Sequence, residues 1–230
     1  MKRTDDKAEL PRSQDGRRTV KRKGRKTREK ILLKSIDLFS ERGYDAVTIR
    51  EIAAAVGIRD SSIYRHFESK DAILDEILGH YISRNSAAAP SLEQTADRAA
   101  EIGLEPFFQE FGAWYLGFMS DPETQKIWRI MAFEQSHNEK IRRFFADNIV
   151  GLGSQIFEEL FRLMIERKLL KDYDPAVLSS EFFSFALYLY FKYFILEYDP
   201  RADPVEPHRK AWAEMERHIK FLVDAAGVEK

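Results

Sequence analysis

The chain has 230 residues, 44% hydrophobic and 33% charged, enough for one large domain or a small one joined to a larger one with a substantial core. It has no cysteine, which excludes disulfides, thiol catalysis and cysteine-based zinc sites, and which fits a reducing compartment. Net charge is −1, yet residues 1–30 carry 13 Lys/Arg against 5 Asp/Glu and the rest 24 against 33, an asymmetry that suggests a basic arm with an anionic partner, nucleic acid or membrane.

Residues 1–26 are almost free of apolar side chains, and the sequence predicts a basic arm that is disordered on its own. There is no apolar signal core. From Thr27 a helical stripe takes over, with Ile31, Leu32, Ile36, Leu38 and Phe39 at three- and four-residue steps, ending at Gly43. Thr48 and Glu51 have capping-box spacing and open a second short helix that buries Ile49, Ile52, Ala53 and Val56 and stops at Gly57. Asp60 or Ser61 can cap a third helix running to about His66, with Ile63 and Phe67 turned inward. Ser69 caps a fourth, which buries Ile73, Leu74, Ile77, Leu78 and Tyr81. Further helices are predicted over about 91–102, 105–120, 122–136, 139–168, 175–198 and 207–226. Asp121-Pro122 and Asp174-Pro175 read as an N-cap followed by proline in the first turn.

The expectation is an all-α chain of nine or ten helices. Its longest apolar run, Phe182 to Leu196, contains Lys192 and is shorter than the ~20 residues that span a bilayer. A soluble, cytoplasmic protein with no membrane partner is therefore expected.

Two short helices joined by a glycine turn have helix-turn-helix geometry, in which the later helix enters the major groove. On that helix Ser61, Ser62 and Arg65 point away from Ile63 and Phe67, with Asp60 and Tyr64 at the edges. Hydroxyls, a guanidinium and a phenol on one face suit base edges and phosphates.

The run from Ile31 to Leu78, with Leu38-Phe39-Ser40-Glu41-Arg42-Gly43-Tyr44-Asp45, Val47-Thr48-Ile49-Arg50-Glu51-Ile52-Ala53, Val56-Gly57-Ile58 and Ser62-Ile63-Tyr64-Arg65-His66-Phe67-Glu68-Ser69-Lys70, closely resembles the N-terminal domain of the TetR family. The resemblance implies phosphate contacts from Thr48, Tyr64, His66 and Lys70, and base or backbone contact from Arg50. It implies sequence choice by Arg59, Asp60, Ser61, Ser62 and Arg65, with Gly43, Gly57 and Phe67 structural. Two positions depart from the family's habit. Arg59 stands where serine is frequent, and Asp60 where a small or basic residue is frequent. An acid near phosphates fits best as a helix cap. Residues 27–70 hold eight Lys/Arg against seven Asp/Glu, so salt-dependent attraction is expected to draw on the arm, with Lys21 to Lys26 reaching the minor groove or backbone.

The resemblance further implies a domain order: a basic arm over 1–26, a three-helix DNA-binding domain over 27–72, and a larger helical ligand-sensing and dimerisation domain over 73–230. It implies a homodimer on near-palindromic double-stranded operator DNA, acting as a repressor released by a small-molecule effector. By analogy the last two helices would pair between copies through Phe182, Phe183, Leu187, Phe191, Phe194, Trp212, Ile219 and Leu222. Trp114, Tyr115, Phe118, Met119, Trp128, Met131, Phe157, Phe161 and Met164 would line a pocket for an apolar or aromatic molecule.

An enzyme is the rival class. Glu134 and His137 have the Glu-x-x-His spacing of di-iron bundles, but no second such pair exists, and Glu76 with His80 and Glu214 with His218 are at the wrong step. The pair reads as a solvated helix end. No nucleophile elbow, P-loop or dinucleotide motif is present, so no catalytic residue, cofactor or metal is expected. A helical interaction protein that keeps the fold without operator specificity is the other alternative.

Overall fold

The computed structural model describes residues 14–86, 90–199, 201, 203 and 205–228. Among these, eleven α-helices follow in order: α1 (Gln14–Arg42), α2 (Ile49–Val56), α3 (Asp60–Ile63), α4 (Lys70–Ser86), α5 (Leu92–Ile102), α6 (Leu104–Ser120), α7 (Pro122–Glu134), α8 (Glu139–Phe144), α9 (Leu152–Glu166), α10 (Pro175–Tyr190) and α11 (Val205–Ala226). No strand forms among the described residues; Leu170 and Gly227 make one isolated antiparallel bridge. No described helix is long and apolar enough to cross a membrane.

Local chemistry accounts for most boundaries. The Thr48–Glu51 capping box is formed, and α2 stops at Gly57, whose φ of 77° and ψ of 37° are left-handed and open to glycine without a Cβ penalty. Ser69 Oγ accepts from the Ala72 N–H, and Asp121 and Asp174 cap α7 and α10 ahead of proline.

Three expectations are corrected. First, α1 begins at Gln14 and not at Thr27, so the helical backbone runs through residues 14–26; residues 1–13 lie outside the described residues. Lys and Arg are good helix formers, and the buried stripe Ile31, Leu32, Ile36 and Phe39 anchors a nucleus from which the helix propagates backward. Second, the helix expected over 139–168 is interrupted. A π-helical segment, Phe145–Gly151, separates α8 from α9, and a second, Phe191–Leu196, ends α10. One extra residue per turn is invisible to a 3.6-residue pattern. Glycine at 153 lets α10 approach, since a Cβ there would stand 2.7 Å from the Phe183 ring.

Third, Phe182, Phe194, Ile219 and Leu222, expected to pair between copies, are buried inside the chain's own core, and Phe183, Leu187, Phe191 and Trp212 are half-buried against it. The large apolar side chains that α10 and α11 expose are instead Val177, Tyr188, Val205 and Phe221. Amphipathic spacing marks a buried face but not which body buries it.

The packing joins α1 to α2, α4 and α7; α6 to α11; α5 to α9; and α9 to α10. Lys126 on α7 bonds Asp37 on α1 at 2.7 Å, and Asp37 also takes Lys34 at 3.0 Å.

Candidate nucleic-acid interface

The exposed face begins with a locked interior. Ile63 is 0% and Phe67 3% exposed, which fixes the rotation of α3 and of the turn that follows it. The regular helix ends at Ile63, short of the expected His66, but the chain keeps turning: the N–H groups of His66 and Phe67 both donate to the Ile63 carbonyl, at 2.8 and 3.0 Å. With that axis set, Arg59, Asp60, Ser61, Tyr64 and Arg65 face solvent and Ser62 and His66 are half-buried. Tyr64 is 57% exposed, which presents its ring and hydroxyl to solvent. Arg65 donates to Ser62 Oγ at 3.1 Å.

Asp60 is the first residue of α3 and not its cap, because Arg59 takes the N-cap position without a side-chain bond. The Asp60 carboxylate still accepts the Ser61 N–H at 2.8 Å, so its charge sits on the positive end of the first turn. At the start of α2, Thr48 and Arg50 are exposed. The Thr48 hydroxyl donates to the Glu51 carboxylate at 2.8 Å and accepts the Glu51 N–H at 3.3 Å. The Thr48 N–H, its hydroxyl and the Arg42 guanidinium hold the Glu51 carboxyl down to about 2.

Lys70 is tied inward. Its ammonium donates to the carbonyls of Tyr44 and Val47 at 3.0 and 3.1 Å and lies 4.2 Å over the Tyr44 ring, closing the loop between α1 and α2.

Two basic residues that sequence reasoning passed over do related work. Arg28 lies 4.2 Å over the Phe67 ring, pairs with Glu76 at 2.9 Å and donates to the His66 carbonyl, clamping the end of the recognition turn to α4. Lys30 donates to the Val56 carbonyl at 2.8 Å, at the negative end of α2. Both read in sequence only as counted charges, within residues 1–30 and again within 27–70. Of the eight basic residues in 27–70, five make no ion pair among the described residues: Lys30 and Lys70 bond carbonyls instead, while Arg50, Arg59 and Arg65 are exposed.

The expected ligand-lining residues separate. Trp114 is 61% exposed and stacks on Phe118 at 5.9 Å on the outside of α6, so it does not line an interior pocket. A tryptophan at core spacing had no sequence mark of facing out. Met119, Trp128, Met131, Phe161 and Met164 are buried, Tyr115 is 8% exposed, and Phe118 and Phe157 are half-buried. Trp128 packs with Tyr81, Phe145 and Tyr190, whereas Phe157 and Phe161 pack with Phe182. Hollows of about 420 and 360 Å³ open elsewhere, on α4 and between α1 and α7.

Glu134, expected on a solvated helix end, is 4% exposed. Its carboxylate accepts the Tyr44 N–H at 2.8 Å and lies 2.7 Å from His137 Nε2. Folding α7 against the loop after α1 buries it, a long-range contact no local pattern reports.

Comparison with known proteins agrees with this geometry. Residues 31–77 match the bacterial regulatory proteins of the tetR family, and residues 107–215 match the C-terminal domain of AefR-like transcriptional repressors. IcaR, the HTH-type negative transcriptional regulator of the icaADBC biofilm operon in Staphylococcus aureus, is 27% identical over 157 residues, 63% of this chain and 83% of its own. A TetR-family regulator from Mesorhizobium loti shares the fold with a TM-score of 0.66 at 20% identity, over 89% of this chain and 98% of its own. NalD of Pseudomonas aeruginosa, secondary repressor of the MexAB-OprM multidrug efflux pump, shares it with a TM-score of 0.59 at 22% identity, over 85% and 96%. The chain belongs to the TetR family of bacterial regulators, proteins that bind DNA and control transcription.

Proposed function

We propose that this regulator is a repressor that binds a near-palindromic operator as a homodimer and is released by a small, mainly apolar or aromatic effector. The observation that carries the DNA-reading part is the polar face of α3 and its following turn, where Ser61, Tyr64 and Arg65 are exposed while Ile63 and Phe67 lock the segment from behind. In this reading Ser61, Ser62, Arg59 and Arg65 meet base edges, and Thr48, Arg50, Tyr64 and His66 meet bases or phosphates. Asp60 holds the first turn, and Lys70 shapes the loop that presents Thr48. The DNA-binding unit spans 27–72 and the sensing and dimerisation unit 73–230, with α4 crossing from one to the other. Repression is supported by IcaR, a negative regulator, and NalD, a repressor.

The dimer surface is the outer side of α10 with its neighbours. Val177, Glu181, Ser184 and Tyr188 recur at steps of four, three and four and are all exposed, flanked by Leu152 and Ile156 of α9 and Phe221 of α11. The effector site is the core around Met119, Trp128, Met131, Phe161 and Met164, with Phe118 and Phe157 at its edge. Support comes from Tyr190, 1% exposed, whose hydroxyl has no hydrogen-bond partner among the described residues. A buried orphan hydroxyl is costly, and a ligand bearing one polar group would satisfy it.

The test is binding of the purified protein to the DNA upstream of its own gene, against an unrelated duplex, titrated with salt. Selective binding with a steep salt slope, weakened roughly tenfold or more by Tyr64→Ala or Arg65→Ala with unfolding unchanged, is expected. Equal affinity of wild type and both variants for every duplex would overturn the assignment of this face.

A further inference from the structure

We propose that Asp45, Glu134 and His137 form a binding site for a divalent transition-metal ion at the joint between the DNA-binding unit and the sensing unit. Asp45 lies in the loop between α1 and α2, Glu134 is the last residue of α7, and His137 follows it in the next turn. One ligand atom from each lies within 4.8 Å of the others. Cis ligands around an ion with bonds of about 2.0–2.2 Å need a separation of roughly 3 Å, so a modest closure of exposed side chains completes the set.

The charge balance at Glu134 also favours a cation at this place. Its carboxylate is buried, yet among the described residues no Lys or Arg pairs with it. The ring nitrogen it meets belongs to His137, which is charged only when protonated. Nearby acids are otherwise served: Asp37 has Lys126 and Lys34, Asp75 has Lys140, and Asp71 accepts the Tyr44 hydroxyl. Lys70 directs its ammonium to the carbonyls of Tyr44, Asp45 and Val47, leaving the Asp45 carboxylate free of an ion pair among the described residues. A buried carboxylate without a permanent counter-charge is unfavourable, and a divalent ion supplies one.

The donor set selects the kind of ion. One imidazole nitrogen with two carboxylate oxygens suits Zn²⁺, Mn²⁺, Co²⁺ or Ni²⁺ better than Ca²⁺ or Mg²⁺, which favour oxygen alone. Asp45 is exposed and the His137 side chain is 53% exposed, so the ion enters from solvent while Glu134 anchors it from inside. With one ligand from the DNA-binding unit and two from the sensing unit, the ion stiffens one of the contacts that join the two units, beside α4 and the packing of α1 on α7.

The experiment titrates tag-free, chelator-treated full chain with ZnCl₂, MnCl₂ and NiCl₂ separately, by calorimetry and by thermal unfolding. Asp45→Asn and His137→Ala, both at exposed side chains, serve as variants that keep the fold, with Glu134→Gln as the buried counterpart and circular dichroism as the folding check. Expected are one ion per chain, a raised unfolding midpoint, and affinity roughly tenfold or more lower in each folded variant. Lack of saturable uptake for all three metals, or uptake that Asp45→Asn and His137→Ala leave unchanged, would overturn the site.

Discussion

Glu134 and Tyr44 are 90 positions apart in sequence, and the carboxylate of one accepts the backbone N–H of the other at 2.8 Å. This bond joins the end of α7 to the loop that positions α2. A Cβ on the neighbouring Gly43, where φ is 83°, would come 3.0 Å from the same carboxylate. A charged acceptor in a buried place makes the bond stronger than a neutral one.

Glu134→Ala therefore leaves the Tyr44 N–H without its partner and is expected to cost about 2 kcal/mol, read as a lower urea midpoint. Glu134→Gln keeps an oxygen acceptor and should lose less. Equal midpoints for wild type and Glu134→Ala would show that the joint does not depend on this bond.

Lys70→Met should destabilise the free protein. Its ammonium holds the Tyr44 and Val47 carbonyls, and losing those bonds is worth about 1–2 kcal/mol. Were the lysine kept only for phosphate contact, unfolding without DNA would be unchanged and affinity alone would fall. Paired unfolding and binding curves separate the two roles.

The capping box should be visible in acid. Glu51 has its carboxyl depressed from 4.5 to about 2, first by the Thr48 N–H and then by the Thr48 hydroxyl and Arg42. A depressed folded value means that its stabilisation is fully present above pH 4.5 and is lost as pH falls toward 2. Glu51→Gln should thus be less stable than wild type at neutral pH, with the gap narrowing through that window. A gap independent of pH would show that the carboxylate charge contributes nothing.

Replacing Lys21, Arg22, Lys23, Arg25 and Lys26 with Gln should flatten the salt dependence of DNA binding, by about one unit of slope for each phosphate that is no longer neutralised. The backbone of α1 is helical from Gln14 onward, so this segment would meet DNA as a helix, across the backbone or in a neighbouring major groove; the minor groove is too narrow for a helix. An unchanged slope would show that the arm stays clear of DNA.

Features whose causes lie within one or two helical turns can be read directly from the amino-acid order. The capping box at Thr48, the stops at Gly43 and Gly57 and the inward pair Ile63 and Phe67 all rest on local hydrogen bonding, backbone freedom or helical period. The polar face of α3 follows once its inward side is known. Whatever needs a distant partner was settled only when the helices assembled. Their packing turned Trp114 outward and Glu134 inward, and tied Lys70 and Arg28 to carbonyls and rings of other elements. It placed Phe182 and Ile219 within the chain's own core. The π segments at Phe145–Gly151 and Phe191–Leu196 likewise carry no local signature. A period of three or four residues says that a face is buried, but only the assembled helices choose what lies against it.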